Sequence, residues 1–527
     1  MDTYEILLQK YDAALKEIDR LREEIRNLQL SLSIEPNGQD AADENKAIII
    51  DGNVESNIAS AVSMQSATDD KIALFRSIFQ GRQDVVARRW ASQTTGKSGY
   101  QPICENEWDP YLCDKRTHKC ADCPNRKMTP LSNELIYRHL AGKDLAGRDV
   151  IGIYPMLEDE TCCFLAADFD DDSFEADVSA YREQCREWDI PVSVERSRSG
   201  NGAHAWIFFA EPIQAALARK LGTAILTGAM EKQGTLSFKS YDRLFPNQDF
   251  MPSGGFGNLI ALPLQGQARR KGNSVFIDDH FKPYEDQWAY LSRIRKMTKD
   301  EVLQIAEQHG KHALGDLVKD TEDKPWAESA NGIKLSREDF PSAVEIHKAN
   351  GLYVSTTDFS ARAVNALKRL SAFQNPDFYR AQRMRMPVYN KPRIISCYDI
   401  IDPYLVIPRG CEEPLVHLLE SLGVAYQITD ETTQGNPINV SFQGELFEEQ
   451  QQAADEMLLH DNGVLSATTA FGKTVVASYL IGQKKVSTLV LVQSQALLSQ
   501  WKKALESFLH FEIEPPSQNP KRGRKTV

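Results

Sequence analysis

Cys163-Phe-Leu-Ala-Ala-Asp-Phe-Asp-Asp-Asp172 is an apolar run that breaks abruptly into acids, a pattern that predicts a β-strand delivering carboxylates at its end. Residues two apart on a strand share a face, so Asp168 and Asp170 project together while Phe169 turns back toward a core. Two like charges so placed repel unless a cation lies between them. That is the requirement for holding Mg²⁺ or Mn²⁺ against a nucleoside triphosphate. Asp171 and Asp172 fit a solvated turn better. Around this strand, from Lys71 to about Met297, helical segments alternate with further strand-like runs at Asp149–Tyr154 and Ala205–Phe209, which predicts a mixed α/β (α+β) domain.

Downstream, Glu195-Arg-Ser-Arg-Ser-Gly-Asn-Gly-Ala-His204 is a glycine-rich turn feeding another apolar strand. Ser199, Gly200 and Gly202 leave backbone N–H groups free to approach phosphate oxygens, Arg198 adds charge, and His204 at the strand start adds a donor. A third stretch, Ser240-Tyr-Asp-Arg-Leu-Phe-Pro-Asn-Gln-Asp249, supplies a further acid at Asp242, with Asp249 as the alternative. Glycines at 254, 255 and 257 and the cations Arg269, Arg270 and Lys271 come after it.

The formal net charge of -13 argues against coating nucleic acid by bulk electrostatics, so phosphate contacts must be local. Local basic clusters exist at Arg196 and Arg198, at Arg269–Lys271, and at Arg380, Arg383, Arg385, Lys391 and Arg393. No apolar run approaches the roughly 18 residues of a membrane span, and the N-terminus lacks a signal-peptide pattern, so the expected location is cytoplasmic. Four of the nine cysteines, Cys104, Cys113, Cys120 and Cys123, crowd together and end in a C-x₂-C pair. In a reducing compartment that pattern predicts a structural zinc knuckle over 104–123, with Cys104 and His118 competing for the last ligand position.

Seven-residue spacing of Tyr4, Tyr11, Ile18, Ile25 and Leu32 predicts a coiled-coil helix over 1–32 and, through it, homo-oligomers. Residues 33–70 read as a linker, and 298–340 as a helical extension and linker. A third unit spans 341–443, an α/β segment 444–511, and a basic tail 512–527.

The strand-borne Asp-x-Asp, the glycine turn ending in His204 and the later acid resemble, in order, the motifs of the archaeo-eukaryotic primase superfamily, most closely the primase module of the TOTE conflict systems. The resemblance implies an RRM-like primase-polymerase core over 71–297, acting on nucleotides with a DNA or RNA template-primer. It also implies that Asp168, Asp170 and Asp242 hold two metal ions while Ser199 and His204 grip the triphosphate. The second motif is longer here than in the family, and Asp242 follows Ser240-Tyr241 where the family has apolar residues.

Near the C-terminus, Gly463-Val-Leu-Ser-Ala-Thr-Thr-Ala-Phe-Gly-Lys-Thr474 predicts a strand, a phosphate loop and a helix start. Ala467 stands where that loop has its first glycine; Gly472, Lys473 and Thr474 would serve the phosphates and Mg²⁺ of ATP. With Gln450 upstream and the strand-like Thr488–Gln493 downstream, the segment resembles the first, partial RecA-like lobe of superfamily 2 DEAD/DEAH-type helicases. That family's acidic Mg²⁺ motif and arginine finger do not occur before Val527, so ATP binding without unwinding is expected. The leading expectation is template-directed nucleotidyl transfer joined to a helicase fragment in mobile-element conflict. The alternatives are an inactive nucleic-acid-binding module and a metal-dependent nuclease; Glu195-Arg196-Ser197 lacks the lysine that restriction-type nucleases place there.

Overall fold

A strand that is apolar on both faces needs cover on both, and the run ending in Asp168 obtains it from helices on one side and an aromatic layer on the other. The computed structural model describes residue 20, residues 62–309 and residues 335–512, apart from positions 93, 116, 118, 119, 121, 122, 145, 171 and 235. The coiled coil and most of the linker expected before residue 62, His118, and the tail after 512 lie outside the described residues. All of the described residues except residue 20 belong to the compact unit that begins at Ala61.

The central sheet of that unit has five antiparallel strands: β1 (Thr161–Phe169), β2 (Ser193–Arg196), β3 (Ala203–Gln214), β4 (Leu244–Phe245) and β5 (Val275–Phe276), in the order β4-β1-β3-β2-β5. Period-two alternation sorts the residues of β1 and β3 between the two faces. Phe169 packs edge-on against Tyr181 of α1 (Phe174–Glu187). On the same face α2 (Ala215–Lys232) lies so close that a Cβ on Gly222 would come within 2.9 Å of the Leu165 side chain. On the opposite face Trp206 stacks on Phe208, Phe164 tilts against Trp206, and Phe79 meets Trp206 and Phe208 edge-on, all four rings being buried. Asp168 and His204 belong to this aromatic face, at the end where the aromatic residues stop.

A four-stranded antiparallel sheet, ordered 98–102, 87–91, 151–153 and 260–261, carries the cysteine segment on its outer strand. It is tied to the helix Asn133–Ala141 by the buried His139. The Ile151 N–H donates to His139 Nδ1 at 3.2 Å, so Nε2 holds the proton and donates to the Pro263 carbonyl at 3.0 Å.

Residues 343–430 form a second five-stranded sheet with its own core, built on Val344, Ile346, Leu352, Val354, Leu405 and Ile407. This is the stretch expected as a third unit, and within it α3 (Ala361–Leu370), α4 (Pro376–Arg383) and the strand pair 372–374/394–396 pack onto the first domain. The cause is the burial of cations whose partners lie across the boundary. Lys368 Nζ donates to the carbonyls of Gly234 (2.5 Å) and Leu236 (3.0 Å), and the Arg393 guanidinium donates to the carbonyl of Asn247 while lying 4.4 Å from the Phe378 ring.

The last segment consists of the helices Glu448–Leu458, Lys473–Lys484 and Gln495–Phe508 with a strand pair 440–442/509–511. The strands expected at 463–467 and 488–493 are not formed: Val464, Leu489 and Leu491 are exposed. A parallel strand requires hydrogen-bonded neighbours and covered faces, and no described residues supply them at these two places.

Burial holds His139 well below the ordinary imidazole range, at about 4. The folded chain therefore keeps a neutral ring that the unfolded chain protonates near pH 6.5. Its stability contribution is complete above that pH and falls as pH drops toward 4, by roughly 3 kcal/mol. Urea unfolding at pH 7 and pH 4.5 should show a larger loss for the wild type than for His139→Gln; equal losses would contradict the assignment.

Candidate active site

Three carboxyl- and imidazole-bearing residues form one cross-strand row. The ladders pair Asp168 with His204 and Glu195 with His204, so all three side chains leave the sheet on one face. Glu195, only 1% exposed, accepts hydrogen bonds from His204 Nδ1 (2.9 Å), Trp206 Nε1 (3.2 Å) and Ser274 Oγ (3.2 Å). His204 Nε2 lies 3.6 Å from Asp168 Oδ1 on its other side.

Charge balance fixes the protonation of this row. Burial draws His204 down, but the Glu195 carboxylate, with Asp168 and Asp170 behind it, outweighs burial and pushes the imidazole up to about 9. His204 is thus an imidazolium at neutral pH, with its Nε2 proton facing the acids. Asp168 is pushed above the ordinary carboxylate range by burial, with His204 opposing the shift and Asp170 adding to it. A desolvated carboxylate of this kind favours a nearby cation. Asp170, exposed past the strand end, pairs with the Arg243 guanidinium.

The glycine turn closes over the same strand end. Ser197 N–H donates to the Gly202 carbonyl (2.8 Å) and Gly200 N–H to the Ser197 carbonyl (3.1 Å), with Gly200 at φ 89°. A Cβ on Gly202 would stand 2.5 Å from the Phe169 carbonyl oxygen and 3.2 Å from the Asp170 Cα. Only glycine lets the turn rest on the backbone that carries the acids. Ser199 Oγ bonds to Ser197 Oγ (3.0 Å) and receives the Asn201 N–H (3.3 Å), which orders the turn from within. Arg198 lies against Tyr100, a residue of the four-stranded sheet.

Asp242 does not join the two strand-end acids. It sits on the 3₁₀ turn Phe238–Arg243, where its Oδ1 accepts the Arg393 N–H at 2.8 Å. The alternative acid, Asp249, pairs with Arg219 and accepts from Gln382 Nε2 at 2.7 Å. Asp242 is taken up by the segment docked from the second sheet, and Asp249 is shared between Arg219 of α2 and Gln382 of that segment. Among the described residues no three Asp, Glu, His or Cys side chains form a group that could hold a metal ion. Glu195 and Arg243 are functional candidates that the motifs alone do not single out. Glu195 becomes visible once the hairpin is counted, because Arg196 pairs with Ala203 and so places Glu195 opposite His204.

Cys104, Cys113, Cys120 and Cys123 are all free thiols lining one cavity of about 60 Å³. Cys104 Sγ accepts the Lys127 N–H at 3.4 Å. Beside the cavity, Glu107 holds Arg88 (2.9 Å) and Lys115 (2.7 Å), and Lys115 lies 4.0 Å from the Trp108 ring.

In the C-terminal segment, Lys473 Nζ donates to the carbonyls of Ala467 and Thr468 (both 2.7 Å), and Gly472 takes φ 88° to begin the helix that continues through Thr474. Gln450 is buried with both ends of its amide engaged: Nε2 donates to the Phe471 carbonyl (2.7 Å) and Oε1 accepts the Phe447 N–H (3.1 Å). Gln450 thereby braces the loop.

Residues 70–305 match the family described as TOTE conflict system, Archaeo-Eukaryotic Primase domain, and residues 443–526 match the family described as Type III restriction enzyme, res subunit. None of the curated proteins compared matches the chain. Among solved structures, the polymerase domain of Mycobacterium tuberculosis ligase D in complex with DNA is similar at 15% identity, covering 46% of this chain and 88% of that one, with a TM-score of 0.25. The described residues contain no helix long and apolar enough to cross a membrane. The chain thus carries two separate family matches, an archaeo-eukaryotic primase domain of the TOTE conflict-system type over residues 70–305 and a res-subunit domain of the type III restriction enzyme type over 443–526.

Proposed function

We propose that residues 70–305 catalyse metal-dependent, template-directed nucleotidyl transfer, extending a primer on DNA or RNA. The observation that carries this reading is the Glu195–His204–Asp168 row, with Asp170 beyond it and the glycine turn resting on the same strand end. The residues present fit Mg²⁺ or Mn²⁺. Mg²⁺ usually retains waters and binds one or two carboxylates together with substrate phosphates, so Asp168 and Asp170 suffice without a preformed third ligand. Bound there, the ion would lower the pKa of a primer hydroxyl and neutralise charge on the leaving pyrophosphate.

The protein's own groups have separable tasks. Asp168 and Asp170 hold the cation. The N–H groups of Ser199 and Gly202 and the Nε2 proton of His204 donate to the triphosphate oxygens. Glu195 is a positioning residue: it fixes the His204 ring and maintains its charge. Arg243, now paired with Asp170, stands where it can transfer to a phosphate when a metal takes the carboxylate. Asp242 acts through Arg393, holding the docked segment against the site, and is not assigned to the metal.

The four cysteines have the donor chemistry of a structural zinc site, which takes four sulfur or nitrogen ligands, although among the described residues no three of them are drawn together as a metal-holding group. Cys104, which lines the same cavity as the other three cysteines, is proposed as the fourth ligand, with His118 the alternative. In the C-terminal segment, Lys473 would leave the carbonyls of Ala467 and Thr468 for the outer phosphates of ATP, with Thr474 on its Mg²⁺. The family assignments support a role in conflict between mobile elements and their hosts.

Incorporation of labelled nucleotide on a primed template, with Mg²⁺ or Mn²⁺ and with both ribo- and deoxynucleotides, tests the central reading. Asp168→Ala and Asp170→Ala should each lower the rate by at least about a hundredfold, the effect of a few kcal/mol of lost transition-state stabilisation. Wild-type rates in both variants would refute it, and degradation of the template in place of extension would identify a nuclease. Elemental analysis of the purified protein should find one zinc per chain, lost in Cys120→Ser and in Cys104→Ser with a lowered unfolding temperature. Wild-type protein without zinc, or Cys104→Ser with full zinc, would reject this ligand set.

A further inference from the structure

The stretch from Phe378 to Tyr398 contains no acidic residue although the whole chain carries a net charge of -13. Its cations are sorted by geometry. On α4, Phe378, Ala381 and Gln382 turn inward and are buried, which leaves Arg380 and Arg383, three residues apart, on the outer face. The loop after the helix is exposed from Arg383 to Pro387, and Tyr389 is 85% exposed with Lys391 beside it. Among the described residues no carboxylate pairs with Arg380, Arg383 or Lys391.

This loop is held in shape. Val388 is buried with Phe378 and Ala381 in a small core of its own. Met386 N–H donates to the Ala381 carbonyl (2.9 Å) and Lys391 N–H to the Val388 carbonyl (3.0 Å). Arg385 and Asn390 adopt the left-handed region, at φ 53° and 60°, to make the two bends. The loop is also fastened to the primase domain. Ser253 N–H donates to the Arg385 carbonyl (2.8 Å), the Arg385 guanidinium pairs with Glu160, and Gln382 and Arg393 bond Asp249 and Asp242. The residue next to Asp242 is Arg243, which pairs with Asp170. A short chain of contacts therefore connects this surface to the strand-end acids.

Exposed cations on an ordered scaffold, unpaired with the flanking Asp377 and Asp399 and interleaved with an exposed aromatic ring, suit a flexible polyanion with stackable faces. Single-stranded nucleic acid meets that description: its phosphates need cations, and its unpaired bases stack on aromatic rings regardless of sequence. We infer that the outer face of residues 380–391 binds the single-stranded template, with Arg380, Arg383 and Lys391 on phosphates and Tyr389 beneath a base. This rests on the proposed template-directed activity for the strand's identity as template. The second sheet is then more than an attachment of the helicase-related segment, because its docked excursion supplies part of the nucleic-acid path of the primase domain.

The test is fluorescence anisotropy of a labelled primed duplex with a single-stranded overhang, in the absence of nucleotide, across about 50–200 mM salt. The combined variant Arg380→Ala, Arg383→Ala, Lys391→Ala should bind more weakly, with a log–log salt slope shallower by about two. Tyr389→Ala should bind about tenfold more weakly with the slope unchanged. Neither should alter binding of a blunt duplex, nor the unfolding midpoint, because the side chains are exposed. Wild-type affinity and slope for the overhang in these variants would overturn the inference and leave the surface to a protein partner. Equal losses on blunt duplex would also overturn it. If the wild type fails to incorporate nucleotide while the surface variants lose binding, the polymerase reading fails and the strand-binding surface stands.

Discussion

A carboxylate removed from water must be compensated within the protein, and Glu195 is compensated on every side: by the His204 ring, the Trp206 indole and the Ser274 hydroxyl. Much of the surrounding arrangement depends on this. The indole N–H can reach Glu195 only if Trp206 lies on the aromatic face of β3, which orients the layer of Phe79, Phe164 and Phe208. The imidazole can satisfy Glu195 only through Nδ1, and this turns Nε2 and its proton toward Asp168. A buried acid thus sets the charge and direction of the imidazole donor that faces Asp168.

The second constraint is the close approach of the glycine turn to β1. With the Phe169 carbonyl where a Gly202 Cβ would be, the turn and the acids form one rigid corner. Beyond that corner, Arg243 and Asp242 are adjacent in sequence but serve opposite neighbours: Arg243 faces the acids, and Asp242 faces Arg393 of the docked segment. The 3₁₀ turn that holds both couples the second sheet to the site through one peptide unit.

Much of this was legible in the residues. The change from apolar to acidic at Asp168 and the glycine turn before His204 announced the strand end and the turn over it, because period-two alternation and glycine geometry act locally. Long-range pairing was not legible. Asp242 carries no sign in its own neighbourhood that a main-chain N–H some distance along the chain will claim it, and the basic residues after Arg380 read equally well as a solvated face. The strands anticipated at 463–467 and 488–493 fail for a related reason: an apolar run specifies a buried parallel strand only where neighbours exist to pair with it. The cysteine spacing points to a cluster, and Cys104, Cys113, Cys120 and Cys123 do line one cavity, but among the described residues no three of them form a group that could hold a metal ion.

The central claim is that Asp168 and Asp170 hold the metal while His204 faces the phosphates. An anomalous difference map from crystals soaked with Mn²⁺ and a nucleoside triphosphate tests it most directly. The account predicts a peak bridged by those two carboxylates at about 2.0–2.3 Å, with a triphosphate oxygen within hydrogen-bond reach of His204 Nε2. A peak held instead by Asp242 or Asp249, or no metal beside Asp168 with nucleotide bound elsewhere, would contradict it.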